Sequence, residues 1–250
     1  MTPFYFGDRR RRLFGIFEPA GVRSVGKRAA VLCYPWGAEY VHAHRAMRQL
    51  AVRLSAAGID TLRFDYFGTG DSAGEMVEAD LAGWETDIEL AIEELRDMVG
   101  SARVTLIGLR LGATLAARVA ARRPGDVDTL VLWDPIQSGM DYLTSLGAAE
   151  APSAFGPPLV VHGFPLTVGM HRDLRAIALA PPLAPPCARE LTLITDRGNP
   201  RATAAEPPGG SRARSDATEF MSGVSPWIED PDKIGAVPVQ VIQRIVHWLG

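Results

Sequence analysis

Residues 104–120, VTLIGLRLGATLAARVA, carry the pattern richest in chemistry. An apolar, β-rich run enters Gly108-Leu109-Arg110-Leu111-Gly112 and leaves as an Ala-rich helix. The two glycines let a strand end and a helix start approach closely, while the residue between them sits on a sharp, strained turn. This is the backbone signature G-x-S-x-G, in which a serine hydroxyl is held out as nucleophile, and here Arg110 takes the serine's place. A guanidinium does not attack a carbonyl. It can grip a carboxylate or phosphate through two parallel hydrogen bonds, beside a helix N-terminus whose open N–H groups, Leu111 first among them, favour anions. It can also close an internal salt bridge to Asp134, Asp196 or Glu39. The two roles are compatible.

Other nucleophiles fare worse. Cys33 ends an apolar run and reads as inert core, since a reactive thiol needs an electropositive, partly exposed setting. Cys187 lies in a Pro-rich stretch with no base near it in sequence, and Ser72 sits in the turn GTGDSAG. The histidines are His42, His44, His162, His171 and His247. His42 and His44 are two apart on a helix and do not face each other, so they make no helical metal pair. Two distant cysteines make neither a tetrahedral metal site nor a disulfide framework. The expectation is no metal and no cofactor.

The elements that would position Arg110 alternate in type. Strands are expected at Arg12–Phe17, Arg28–Pro35, Asp60–Tyr66, Arg103–Leu109, Asp128–Trp133 and Arg189–Thr195. Helices are expected at Glu39–Ala57, with Met47, Leu50, Ala51 and Leu54 on one face, and at Trp84–Val99, with Trp84, Ile88, Ala91, Ile92, Leu95 and Val99. Two more follow at Leu111–Arg123 and Pro238–Leu249, the last with Val239, Ile242, Ile245, Val246 and Leu249 inward. Such alternation predicts an α/β fold whose mostly parallel sheet has helices on both faces. Residues 136–186 break the rhythm and read as a small inserted cap, and GNPRATAAEPPGGSRARSD (198–216) as a loop.

Composition sets the outer limits. A chain of 250 residues with 47% apolar and 22% charged residues reads as a single domain, 1–250, with a real core. A net charge of −3 argues against nucleic acid or a membrane surface as partner. The Arg9–Arg12 run reads as a solvated turn. No leader-like run opens the chain and no stretch is long and apolar enough to span a bilayer, so the expected compartment is the cytoplasm.

On these residues the chain resembles the α/β hydrolases, and more narrowly the exosortase A system-associated hydrolases and their relatives. The matching stretches are VLCYPWGAEYVHAHRAMRQLA (31–51), LRFDYFGTGDSAGE (62–75), the helix with Trp84 and Asp87-Ile88, GLRLGATLA (108–116) and LVLWDP (130–135). The closing PDKIGAVPVQVIQRIVHWL (231–249) matches more loosely. One branch of these relatives itself carries a GLRLG elbow. The resemblance implies about eight strands and a pocket at their carboxyl ends. It implies an oxyanion region at Tyr34-Pro35-Trp36-Gly37, with Trp36 walling the pocket and one of His42 and His44 able to reach it. Asp196 falls at the usual position of the catalytic acid and Asp134 at an alternative one. Gly223–Lys233, where the base would be expected, holds no histidine.

Two function classes follow. One is a hydrolase-like enzyme on an ester, thioester or amide, polarising its acyl-type or anionic small-molecule substrate with Arg110 and the loop amides and forming no serine acyl-enzyme. The other is a non-catalytic binding or accessory protein that keeps the pocket. Fold alone does not separate them.

Overall fold

The computed structural model describes residues 1–21, 27–101, 103–153, 156–179, 187, 189–195, 217–221, 225–228 and 236–250. Eight strands form one sheet in the order β1-β2-β4-β3-β5-β6-β9-β10. They are β1 (Thr2–Phe6), β2 (Leu13–Glu18), β3 (Ala29–Cys33), β4 (Asp60–Phe64), β5 (Val104–Leu109), β6 (Val127–Trp133), β9 (Arg189–Thr195) and β10 (Ala217–Met221). Pairing is antiparallel from β1 to β2 and from β2 to β4, and parallel from β4 through to β10. The expected mostly parallel sheet of about eight strands is therefore the one found.

Helix α1 (Ala38–Ala56) packs with α6 (Val239–Leu249), and α2 (Leu81–Val99) with α3 (Leu111–Arg122). These are the two helical layers. Every residue of β3 is buried, as a strand covered on both faces requires. The apolar stripes predicted for α1 and α2 are the ones buried, except that Val99 is only partly covered. Helix α2 begins three residues earlier than its apolar stripe suggests, because the Asp80 carboxylate caps it by accepting from Gly83 N–H at 2.6 Å. In α6 the inward face turns: Val241 is buried with Ile242, Ile245 and Leu249, while Val239 is half exposed. Strands β1 and β10 carry little apolar alternation of their own, and pairing with β2 and β9 defines them.

Between β6 and β9 the chain forms α4 (Gly139–Ser145), the hairpin β7 (Leu159–Val161) and β8 (Phe164–Leu166), and α5 (Val168–Arg175). Helices α4 and α5 pack on each other, and β8 packs on the short 3₁₀ turn Met76–Glu78. The segment thus lies against the loops at the carboxyl ends of the strands.

Candidate active site at the Arg110 elbow

Arg110 stands between β5 and α3 at φ 55°, ψ −121°, a backbone conformation strained for any side chain. Four features hold it there. Its N–H continues the ladder to Trp133 C=O at 2.9 Å, and its own carbonyl accepts from Ala113 N–H at 3.0 Å. A Cβ on Gly108 would meet Ala113 Cα at 2.3 Å. One on Gly112 would meet the carbonyl oxygens of Cys33 and Tyr34, each at 2.3 Å. The spacing of the two glycines is therefore a packing requirement, which jams the start of α3 against the end of β3.

The side chain turns inward and is 9% exposed as a residue. Nε donates to Glu39 Oε1 at 3.0 Å, and Nη1 reaches Asp134 C=O at 3.5 Å. The guanidinium carbon lies 5.6 Å from the Tyr142 ring centre and 5.1 Å from that of Trp227, within cation–π range. Tyr142 OH donates to the second oxygen of Glu39 at 3.1 Å. Burial works against the charge on Arg110, but Glu39 and Tyr142 outweigh it and raise its pKa. Burial also raises the Glu39 carboxyl, against the pull of Arg110 and Tyr142. Of the described acids that could close a salt bridge on Arg110, Glu39 supplies the carboxylate contact and Asp134 does not.

Asp134, also at positive φ (46°), turns its carboxylate away from the guanidinium. Oδ1 accepts from Thr195 N–H at 2.8 Å and Oδ2 from Thr195 Oγ1 at 2.9 Å, so the group ties β6 to β9. Burial pushes its pKa up to about 6 against the pull of Thr195 and Arg110. Only its backbone oxygen meets Arg110. Asp196 lies outside the described residues, as does most of 223–233.

The 34–37 loop sits where expected, at the end of β3. Gly37 (φ 65°) starts α1, and the Phe164 ring lies 3.7 Å from where its Cβ would be. Among the described residues nothing accepts from the N–H of Trp36 or of Leu111. The indole of Trp36 is buried and does not line the neighbouring cleft described below. His44 is exposed and packs on the rings of Tyr34 and Tyr40, away from the Arg110 partners. Tyr34 itself is buried, and burial pushes its phenol up to about 12.

His171 is buried, its Nε2 at 3.1 Å from Ala148 C=O, and His162 occupies the exposed β7–β8 turn at φ 48°. Ser72 Oγ accepts from Phe14 N–H and donates to Asp65 C=O. Cys33 is fully buried, and burial drives its thiol pKa far up. Among the described residues, which include all five histidines, none hydrogen-bonds or ion-pairs with Arg110, Glu39 or Asp134, although the charge of His42, one turn along the helix, lowers the Glu39 pKa.

A cleft of about 210 Å³ opens between Pro35, Gly37, Tyr40, the 68–70 turn, Met76 and Phe164. Helix α1 divides the two places: Glu39 faces Arg110, while its neighbour Tyr40 faces the cleft. Sequence reasoning missed Tyr142, Trp227 and Phe164. They lie in segments without clear periodicity, and only the fold brings them to the strand ends.

Residues 28–164 match the family model described as serine aminopeptidase, S33. An uncharacterized protein of Mycobacterium tuberculosis (strain ATCC 25618 / H37Rv) is 38% identical over 111 residues, 43% of this chain and 36% of its own length. The human mitochondrial palmitoyl-protein thioesterase ABHD10 is 29% identical over 106 residues, 42% of this chain and 33% of its own. The chain thus spans about a third of the length of these curated relatives. In fold it is similar to Est1E of Butyrivibrio proteoclasticus, solved with ferulic acid bound, at a TM-score of 0.76 and 15% identity over 98% of this chain and 97% of the other. With its sheet order, its strained elbow and a family match over more than half its residues, the chain belongs to the serine aminopeptidase, S33, family of the α/β hydrolases.

Proposed function

We propose that this chain binds an acyl-type small molecule — an ester, thioester or amide — by its carbonyl oxygen and forms no serine acyl-enzyme. The observation carrying the reading is the ion pair of Arg110 with Glu39 at the elbow. It replaces the attacking hydroxyl with a fixed charge that is already partnered. The N–H groups of Trp36 and Leu111, without acceptors among the described residues, are the donors that would receive the oxygen. An anionic ligand is the less favoured choice, because it would compete with Glu39 for the same guanidinium. The 136–186 segment, which supplies Tyr142, serves as the cap.

If chemistry occurs, polarisation by Arg110 and the loop amides drives it, with water or a group of the substrate as nucleophile. The second reading is a non-catalytic binding protein, favoured because no histidine hydrogen-bonds or ion-pairs with Arg110 among the described residues. Turnover of short acyl esters and thioesters by wild type and Arg110→Ala separates the two. Loss of turnover in a folded Arg110→Ala supports the enzyme. Binding without turnover supports the receptor. Covalent labelling by a serine-directed fluorophosphonate overturns both.

A further inference from the structure

The outer face of α1 carries positive charge that the fold leaves unanswered. Val41, Arg45, Arg48 and Val52 recur at i, i+4, i+7 and i+11 and so form one stripe along the helix. All four are exposed, Val41 by 57% and Val52 by 44%. Gln49 and Arg53 flank the stripe and are exposed as well. None of the Arg45, Arg48 and Arg53 guanidinium groups makes a hydrogen bond or an ion pair with a described residue. The acid of α1, Glu39, pairs with the buried Arg110, and the neighbouring α6 has no acid.

The other helical layer is built differently. There the arginines that end α3 are met one by one from α2: Glu85 takes Arg118 and Arg122, Glu89 takes Arg122, and Glu93 takes Arg123. The chain as a whole is acidic, at net −3. The positive field on α1 is therefore local, and it comes from missing acids, not from a general excess of arginine. Arg53 lies in the last turn, where it answers the helix dipole. Arg45 and Arg48 lie mid-helix and have no such role. Charge at the middle of the stripe and an apolar residue at each end, about 16 Å apart along the axis, match the length of a few turns of a second helix.

We infer that the outer face of α1 docks an acidic helix of a partner protein, with carboxylates against Arg45 and Arg48 and apolar side chains against Val41 and Val52. Val41 also lines the cleft of about 210 Å³, so a partner seated there reaches its mouth. One helix face is a small interface, and the contact is transient and weakened by salt. Nucleic acid fits less well, because the net charge of −3 repels it at a distance. A bilayer fits less well too, since two arginines and two small apolar residues are too few to hold a helix at a lipid surface. The inference uses nothing of the carbonyl receptor at Arg110 and is tested apart from it.

The test is titration of the full chain with a fluorescent, side-chain-stapled helical peptide about four turns long. One face of the peptide carries leucine at each end and glutamate at the positions between. Anisotropy reports binding, and amide shifts along α1 locate it. The same peptide with glutamine for glutamate binds about tenfold more weakly or worse, and raising salt from about 0.05 to 0.5 M weakens the acidic peptide. Arg45→Gln combined with Arg48→Gln lowers its affinity about tenfold or more with an unchanged unfolding midpoint, because neither side chain has a partner to lose. Arg118→Gln, in the paired layer, leaves affinity as it was. Absence of binding overturns the inference, as does binding that the double change leaves intact, an equal loss from Arg118→Gln, or equal binding of the glutamine peptide. Tighter binding of phosphatidylglycerol vesicles or of a DNA duplex through the same two arginines overturns it as well.

Discussion

Arg110 Nε lies 3.0 Å from Glu39 Oε1, joining the elbow after β5 to the first turn of α1 across 71 positions of sequence. The contact neutralises the elbow and ties together the two loops that would frame a reacting carbonyl. Breaking one side of a buried pair leaves the other charge uncompensated, at roughly 3–5 kcal/mol. Glu39→Gln should destabilise the protein by about that much in urea unfolding. The double change Glu39→Leu with Arg110→Met should cost less than Glu39→Gln alone, because no charge is left stranded. A double variant less stable than the single would show that the pair contributes net stability.

Tyr142→Phe keeps the ring on the guanidinium and removes only the hydroxyl that donates to Glu39. Hydrogen bonds to charged groups contribute about 1.5–3 kcal/mol. The expected loss is at the lower end of that range, read from the unfolding midpoint. No loss would mean that water replaces the hydroxyl at Glu39.

Gly112→Ala places a Cβ 2.3 Å from two carbonyl oxygens, and both belong to backbone that cannot swing aside. Overpacking of this kind costs about 1–3 kcal/mol or more. Gly147→Ala is a useful contrast, since a Cβ there meets nothing within 4 Å and only its positive φ (69°) resists the change. Thermal unfolding should rank Gly112→Ala well below Gly147→Ala.

Asp134 titrates at about 6 in the folded chain against an ordinary 3.8, because burial opposes its charge. The folded state therefore holds this proton more tightly than the unfolded one. The contribution to stability is greatest below 3.8, falls as pH rises toward about 6, and is level above. Asp134→Asn, which tolerates the positive φ, should remove that fall in a series of unfolding curves between pH 4 and 7. An unchanged slope would assign the titration to another group, Glu39 being the nearest candidate.

The sequence by itself determined the local elements and the elbow. Glycines at 108 and 112 around Arg110, between an apolar strand and an Ala-rich helix, specify a strained strand-to-helix turn, because backbone atoms of Ala113, Cys33 and Tyr34 leave no room for a Cβ. Alternating strands and amphipathic helices specify the parallel sheet for the same local reason: each apolar stripe has one face to bury. What Arg110 does there was decided only by the tertiary structure. Glu39, Tyr142 and Trp227 come from three distant segments, and the direction of the Asp134 carboxylate toward Thr195 depends on β9 lying beside β6. Partners of a buried charge are chosen by which loops the sheet order brings together, and no periodicity within one segment records that.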